Sequence, residues 1–369
     1  MTVSSSVPKR VDRLRALMAK AGLGALVVFA PANCRYLTGF TGEAASVIVT
    51  EEDVVIVTDA RFTVQAEVEV PRTRVILAVG SRDEPVRDFL TEARYGDGAA
   101  GVVGIDSGHL TVKRWEPLRE LLDECSVEWR LVDGLVEDTR CIKFPDELVA
   151  LRAAGSLAAS AFTYLESLPV IGRREREVAL DLEMFLRQHG SEGVPFPFIV
   201  AAGHRGAMPH GEASAAVIEA GQLVVFDIGA VVDGYASDIT RTYATGPLDD
   251  DLLEAYATVR AGQTAAVAAV RAGISCRELD EIARAHIRDA GLGELFVHSL
   301  GHGVGLEVHE GPTISPRSDD VLQAGMVLTV EPGVYIPGRG GVRIEDSVVV
   351  TSTGVEVLTE CPRDLRTLT

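Results

Sequence analysis

The segment at residues 331–346, EPGVYIPGRGGVRIED, constrains the fold more than any other part of this sequence. Apolar and β-branched residues on both sides of the turn-prone run PGRGG predict a β-hairpin centred on Gly338. Glu331 and Glu345 are equidistant from Gly338, so this hairpin brings their carboxylates opposite each other. Like charges opposite each other on neighbouring strands are destabilising. The hairpin therefore requires something that compensates two facing negative charges.

A second hairpin repeats this arrangement. In GQLVVFDIGAVVDGYASDITRTYATG, apolar runs flank Asp233 and Gly234, which are a strong signal for a tight turn. A turn centre within one residue of Asp233 brings Asp227 near Asp238, and Asp227 lies inside a run that predicts a core strand. Burying unpaired charge costs several kcal/mol per ion. Four carboxylates in two facing pairs therefore need arginine partners, shared protons or metal ions.

Metal ions are the favoured compensation. Arg241 and Arg343 are near in sequence and can each take one carboxylate, but not all four. A shared proton would indicate an acid catalyst like an aspartic protease, but the expected Asp-Thr/Ser-Gly context is missing. These two alternatives are therefore weaker than a metal site.

A histidine cluster supports the metal site. FVHSLGHGVGLEVHEGPT contains His298, His302 and His309, three of the eight histidines in the chain. The glycines around His302 let the backbone approach closely. HExxH, CxxC and phosphate-loop patterns are missing, which argues against zincin, zinc-finger and nucleotide sites. Carboxylates with one imidazole suit Mn²⁺, Co²⁺, Zn²⁺ or Fe²⁺, and a pair of bridged ions would tolerate both acidic hairpins.

Length, charge and cysteine usage set further limits. A chain of 369 residues predicts two domains, and the change from α/β to alternating helices and acidic strands places their boundary near Lys143. The formal net charge of −19 argues against nucleic acid and anionic membrane surfaces as partners. Five scattered cysteines and a first segment unlike a signal peptide predict a cytoplasmic protein. We expect no apolar stretch of membrane-spanning length.

The order and context of the candidate ligands carry a resemblance. Asp227, Asp238, His302, Glu331 and Glu345 stand in the contexts FDIGA, SDITRT, GHGVGLEVHE, VEPGVY and GVRIED. This pattern resembles the pita-bread-fold metallopeptidases (family M24), and within them the Xaa-Pro peptidases, aminopeptidase P and prolidase. NCRYLTGFTG and TDARFTVQAE are similar to their N-terminal domain, and TRCIKFPDELVALRAA to their linker helix, so the resemblance covers nearly the whole chain.

The resemblance implies an α/β (α+β) fold in two domains. Residues 1–142 would form a creatinase/prolidase-like N-terminal α/β domain. Residues 143–369 would form the catalytic pita-bread domain, with an antiparallel sheet and flanking helices. A homodimer is also implied.

The resemblance further implies a role for each candidate residue. Asp227 would bind the first of two divalent ions, with Mn²⁺ expected and Co²⁺ or Zn²⁺ as alternatives, and His302 and Glu331 would complete the second. Asp238 and Glu345 would bridge both. The ions would activate a water molecule, and Glu331 would also carry its proton. Residues around the substrate complete the implied set: His210 and His309, which would hold the substrate and polarise its carbonyl, and His298, Tyr335 and Arg343, which would surround the proline pocket.

The implied activity is hydrolysis of an Xaa-Pro bond at the free N-terminus of a peptide. The contexts RYLTGF and TDARF favour aminopeptidase P over prolidase, which acts only on dipeptides. Three rivals share the fold. Creatinase lacks the full ligand set, and non-catalytic binding modules have lost ligands and gained charged tails, whereas this chain ends at Thr369 without one. Methionine aminopeptidase would leave residues 1–142 unexplained.

Overall fold

The computed structural model describes residues 6–95 and 101–369. The chain forms two compact units, Met1–Arg140 and Cys141–Thr369. The elements from the first unit are, in order, α1 (Val7–Lys20), β1 (Leu23–Val28), α2 (Pro31–Thr38), β2 (Ala45–Thr50), β3 (Val54–Asp59), α3 (Thr63–Glu69), β4 (Arg74–Ala78), α4 (Asp83–Glu92), β5 (Val102–Asp106), α5 (Val112–Glu124), β6 (Trp129–Val132) and α6 (Leu135–Cys141).

The first unit is an α/β domain, as predicted. Its six strands form one sheet in the order β4-β3-β2-β1-β5-β6, in which β1 is antiparallel to β2 and parallel to β5. Helix α1 buries Val11, Leu14 and Met18, whose spacing of three and four residues puts them on one face. The helix ends before Gly22, which has a φ of +66°. These patterns are local, which is why the sequence predicts them.

The second unit contains a three-stranded and a five-stranded sheet, each covered by helices, and two two-stranded sheets. Its elements are α7 (Pro145–Leu165), α8 (Glu175–Gln188), β7 (Ile199–Ala202), β8 (Leu223–Ile228), β9 (Val231–Val232), β10 (Tyr235–Ala236), β11 (Ile239–Ala244), α9 (Asp250–Ala269), α10 (Cys276–Asp289), β12 (Gly301–Gly303), β13 (Glu310–Ile314), β14 (Val327–Val330), β15 (Gly333–Ile336), β16 (Gly340–Arg343), β17 (Asp346–Val350) and β18 (Val355–Val357).

The sheets of this unit are antiparallel, as predicted. The three-stranded sheet has the order β11-β8-β7 and packs against α7 and α8. The five-stranded sheet has the order β13-β12-β14-β17-β18 and packs against α9 and α10. The two-stranded sheets are β9–β10 and β15–β16. The N–H of Glu345 donates to the carbonyl of Thr240 at 3.1 Å, and this bond joins the three-stranded and the five-stranded sheet. The site residues lie around this junction.

The hairpin predicted at residues 331–346 is present with its predicted register. β15 pairs with β16 across the turn, and β14 pairs with β17 so that Val330 lies opposite Asp346. Both pairings share one centre, so Glu331 and Glu345 come next to each other where the strands leave one sheet for the hairpin. The facing of these two glutamates is confirmed.

The predicted facing of the two aspartates is wrong by two residues. Asp233 and Gly234 form the turn, with φ values of 49° and 78°. A two-residue turn has its centre between these residues, so Asp227 lies opposite Thr240. Asp238 is therefore a diagonal neighbour of Asp227. Because alternate strand residues share a face, both carboxylates still point to the same side of the sheet.

Helix α7 contradicts one sequence expectation. It is long and apolar enough to cross a membrane by length and composition alone, and half of its most apolar stretch is buried. Its residues Ala158, Phe162 and Leu165 pack into the core beside β7, β8 and β11. A helix buried in the core of a unit meets the same criterion, so its composition follows from this packing.

Candidate active site

Three of the predicted ligands converge on one point. Asp238, His302 and Glu345 each offer a ligand atom, and these atoms lie within 4.8 Å of one another. The Nε2 atom of His302 is 3.6 Å from Oδ2 of Asp238 and 3.4 Å from Oε1 of Glu331. Strand β12 supplies the histidine, and the two hairpins supply the carboxylates. This geometry brings together four of the five residues predicted to bind metal, and Asp227 completes the group from the end of β8.

The carboxylates of the site are buried and incompletely satisfied. Asp227, Asp238 and Glu345 are 8%, 5% and 1% exposed. The buried atoms Oδ1 of Asp227, Oδ1 of Asp238 and Oε1 of Glu345 have no hydrogen-bond partner in the part of the chain that the structure describes. Buried acceptors are nearly always satisfied, and leaving them so costs free energy. Three such oxygens around one imidazole fit a site for divalent cations.

Burial also changes the protonation of these acids. It raises the pKa values of Asp238 and Glu345 well above their usual range, and neighbouring carboxylates add to the effect. Burial likewise raises the pKa of Glu331 to about 7. In the absence of a compensating cation, these raised pKa values favour retention of protons on the carboxyl groups. A bound cation would displace them.

His302 is prepared as a neutral ligand. Burial lowers its pKa, so the ring is uncharged near neutral pH. Its Nδ1–H donates to the carbonyl of Gly303 at 3.0 Å, which leaves the lone pair of Nε2 directed at the carboxylates. The N–H of His302 donates to Oγ1 of Thr329 at 3.0 Å, and the same hydroxyl donates to Oε1 of Glu331 at 3.2 Å. Thr329 therefore fixes two of the predicted ligands together.

The residues predicted around a proline pocket form one hydrogen-bonded chain. Arg343 Nη1 donates to the Tyr335 hydroxyl at 2.9 Å, and that hydroxyl donates to Nε2 of His298 at 2.8 Å. Burial, followed by the charge of Arg343, lowers the pKa of His298 to about 4, so its Nε2 is an acceptor. Nδ1 of the same ring donates to the carbonyl of Ser299 at 2.7 Å. The three predicted residues are therefore adjacent and mutually oriented.

Arg343 also contacts a predicted ligand, although not the one next to it in sequence. Its Nη2 donates to Oδ2 of Asp227 at 2.6 Å. Its Nε donates to Oγ1 of Thr240 at 3.0 Å, and Thr240 donates to Oε2 of Glu345 at 2.6 Å. Among the described residues, Arg343 is therefore linked to the side chain of Glu345 through Thr240. Sequence reasoning missed Thr240, although its position opposite Asp227 follows once the turn register is known.

The two remaining histidines lie at the accessible side of the cluster. The side chains of His210 and His309 are exposed. The ring centroid of His309 is 4.3 Å from that of His302. Burial of part of the ring lowers the pKa of His309, with smaller effects from His302 and His210. His210, next to the 3₁₀ helix Gly203–Ala207, is therefore within electrostatic range of His309.

Arg241 takes a different partner from the one considered in the sequence. Its Nη2 donates to Oδ1 of Asp346 at 2.7 Å, and its Nη1 donates to the carbonyl of Glu345. It therefore pairs with an aspartate outside the predicted ligand set and holds the main chain of Glu345 from behind. Packing between strands about a hundred residues apart decides this pairing, and no local pattern indicates it.

The site and the fold together define a class of protein: an enzyme with a buried centre for divalent cations between two antiparallel sheets. Comparison with known proteins gives the family. Residues 149–352 match Metallopeptidase family M24, and residues 10–142 match the Creatinase/Prolidase N-terminal domain. The chain belongs to metallopeptidase family M24, in its branch of Xaa-Pro dipeptidases and aminopeptidases, and has the pita-bread fold.

Relatives match over almost the full length. The Xaa-Pro dipeptidase of Pyrococcus furiosus is 36% identical over 363 residues, which are 97% of this chain and 99% of that protein. The structure of an Xaa-Pro dipeptidase from Bacillus anthracis has a TM-score of 0.93 and 39% identity, covering 98% of this chain and 100% of that one. The X-Pro aminopeptidase of Thermotoga maritima has a TM-score of 0.86 and 33% identity, covering 97% and 100%. The resemblance read from the sequence is confirmed.

Proposed function

We propose that this chain is a dinuclear metal-dependent Xaa-Pro dipeptidase. The observation that carries the proposal is the match to Xaa-Pro dipeptidases along nearly the entire chain, combined with buried, unpartnered carboxylate oxygens at the matching centre. The sequence contexts RYLTGF and TDARF favour an aminopeptidase instead.

The five predicted ligands would hold the ions. When bound, the ions supply a nucleophile at neutral pH by lowering the pKa of a water molecule. Bound ions would also compensate the negative charges of Asp238 and Glu345, so that these carboxylates need not be protonated. Mn²⁺ is the proposed metal, with Co²⁺ and Zn²⁺ as alternatives, because oxygen-rich ligation with one imidazole accommodates all three.

Glu331 is the proposed proton carrier. Its pKa of about 7 in the absence of cations reflects burial, and Thr329 fixes the orientation of its carboxylate. A group that accepts and returns a proton works best when its pKa is near the working pH. His210 and His309 are exposed and carry ring N–H donors, with which they would stabilise the charge that develops on a substrate carbonyl oxygen.

Proline specificity has a physical basis in the substrate. A bond to the proline nitrogen is a tertiary amide without an N–H group, so recognition must use the ring rather than that hydrogen. The hydrogen bonds among Arg343, Tyr335 and His298 fix the orientation of these side chains. The proline ring, whose φ is fixed, can be positioned against them. We assign the proline subsite to these three residues.

The test compares Ala-Pro, Ala-Pro-Ala and a longer peptide that begins Ala-Pro, at equal concentration with Mn²⁺ present. We expect cleavage of Ala-Pro, slow or no cleavage of the longer peptides, and much slower cleavage of Ala-Ala. Acetylation of the N-terminus should block cleavage. Equal rates on Ala-Pro and Ala-Ala would overturn the proline assignment, and no cleavage of any peptide with both ions bound would overturn the peptidase assignment.

The second candidate is an Xaa-Pro aminopeptidase. The contexts RYLTGF and TDARF and the similarity to the Thermotoga maritima X-Pro aminopeptidase favour it. The same experiment separates the two, because cleavage of the tripeptide and the longer peptide at rates similar to Ala-Pro would support the aminopeptidase. Light scattering tests the homodimer that the family implies, with the mass of two chains as the expected result.

A further inference from the structure

A fully buried ion pair lies beside the loop that carries His309. Nζ of Lys143 is 3.1 Å from Oε2 of Glu310, and the two side chains are 1% and 5% exposed. A buried ion pair is weak evidence for stability, because desolvation of the charges offsets much of their attraction. The pair therefore calls for another explanation.

Glu310 organises the loop that begins after β12. Its Oε1 accepts the N–H of Glu307 at 3.2 Å. Gly305 lies directly against the Glu310 carboxylate, so a Cβ at this position would overlap it. The backbone of Gly305 has no positive φ, which means that space, rather than conformation, requires glycine here.

This loop connects two residues of the site. Gly303 pairs with Glu310 across the β12–β13 ladder, and His302 pairs with Thr313, so the ladder is irregular between these pairs. His309 directly precedes Glu310, and its ring packs on that of His302. A displacement of the Glu310 backbone would therefore shift His309 relative to His302.

Lys143 provides a fixed anchor for Glu310. Its N–H donates to the carbonyl of Gly325 at 2.9 Å, and the preceding Ile142 forms a β-bridge with Met326. Helix α7 begins two residues later at Pro145. The ammonium group therefore projects from a backbone that is bonded to the residues directly before β14 and leads into a long core helix.

We propose that the Lys143–Glu310 ion pair positions the His309 ring against the predicted metal ligand His302, with both residues acting through the loop and neither touching substrate. The proposal rests on the role assigned to His309 under the proposed function. It accounts for the buried charges, the glycine at position 305 and the ring packing together. It assigns to this pair a specific effect on turnover that general stability does not explain.

A double-mutant cycle with His309→Ala tests the coupling in the full chain loaded with Mn²⁺. We expect Lys143→Met and Gly305→Ala each to lower kcat for Ala-Pro about tenfold or more with KM little changed, because a displacement of 1 Å can cost ~10²-fold. In the His309→Ala background the same changes should cost less than about twofold. Equal losses in both backgrounds would overturn the proposal.

Two controls separate positioning from stability. The double variant Lys143→Met/Glu310→Gln leaves no uncompensated charge, so it should recover thermal stability while kcat stays low. Recovery of kcat together with stability would overturn the proposal. Arg173→Met breaks the surface pair between Arg173 and Asp181, which are 2.8 Å apart, and should keep the parent activity within about twofold.

A readout independent of activity is the nuclear Overhauser effect between the ring protons of His302 and His309 in metal-free protein with labelled histidine. We expect this effect in the parent and its loss in Lys143→Met and Gly305→Ala. An unchanged effect in both variants would overturn the proposal. If the parent cleaves no peptide, the proposed function fails, and this comparison still decides whether the ion pair positions the ring.

Discussion

Glu345 and Asp346 are neighbours in the chain and equally buried, yet their carboxylates lie in opposite surroundings. Glu345 is 1% exposed and Asp346 is 0% exposed. Glu345 accepts one hydrogen bond, from Thr240, and its other oxygen has no partner among the described residues. Asp346 accepts hydrogen bonds of 2.6–3.1 Å from Arg241, Gln263, Thr359 and Arg363.

The difference arises from strand geometry. Successive residues of an extended chain point to opposite faces, so Glu345 points to the front of the junction and Asp346 to the rear. The rear supplies two arginines, which compensate Asp346 completely. The front supplies one arginine, Arg343, which pairs with Asp227, together with one neutral imidazole and further carboxylates. Burial of an acid therefore does not identify a cation site, whereas several buried acids with unsatisfied oxygens grouped around one imidazole indicate one.

The largest effect on turnover is expected for substitutions of the carboxylates at the front of the junction. Glu345→Ala or Asp238→Ala should abolish hydrolysis of Ala-Pro and lower the metal content, because each residue is predicted to bind both ions. Turnover and elemental analysis of the same preparation measure this. Activity near that of the parent, at controlled metal occupancy, would contradict the assignment of the metal site to the front carboxylates.

Substitution of Asp346 at the rear of the junction should lower the free energy of unfolding instead. Asp346→Asn leaves Arg241 and Arg363 without a full counter-charge, and breaking such a buried pair costs about 3–5 kcal/mol of unfolding free energy. Urea denaturation measures the loss, and the metal content of the folded protein should stay close to that of the parent. A stable variant that has lost its metal would contradict the assignment of Asp346 to the rear network.

The exposed histidines should show an intermediate effect on turnover alone. His210→Ala and His309→Ala should keep both ions and the fold while kcat falls ~10²-fold, the size of a lost transition-state hydrogen bond. His189→Ala is the matched control, since His189 is exposed at the end of α8 and should leave kcat unchanged. If the site variants behave like the control, these histidines have no part in the chemistry.

Metal removal should give the smallest effect and a defined pH dependence. At a hundredfold excess over Kd, a ligand stabilises the native state by about 2.7 kcal/mol. The raised pKa of Glu331, about 7 against 4.5, means that its contribution to metal-free stability is complete below pH 4.5 and is lost as the pH rises through 7. The lowered pKa values of His298 and His302 affect the stability of the metal-free protein only below pH 6.5.

The melting temperature of the chelated protein should therefore fall between pH 6.5 and 8, and Mn²⁺ should raise it more at pH 8. Thermal scans with chelator and with Mn²⁺ at both values test this. A melting temperature that is equal at both values after verified metal removal would mean that other groups compensate the front carboxylates.

Much of the molecule follows from the sequence alone. The hairpin at residues 331–346, the turn at Asp233 and Gly234, and the main helices depend on local patterns: turn residues, alternation and periodicity. The ordered ligand contexts identified the family, which the full-length matches confirm. These predictions succeed because they depend on neighbouring residues in the sequence and not on which residues pack against them.

Only the tertiary structure decided how the charges are partnered. In the structure, Asp227 lies opposite Thr240 in the strand register. The ion pairs are Asp227 with Arg343, Asp346 with Arg241, and Glu310 with Lys143. These partners are about 13 to 167 residues apart in the chain. Side-chain alternation sets which face a carboxylate occupies, but the packing of two sheets sets which cation, if any, reaches it. The physical reason is that electrostatic compensation depends on distance in space, and the sequence encodes that distance only through the complete fold.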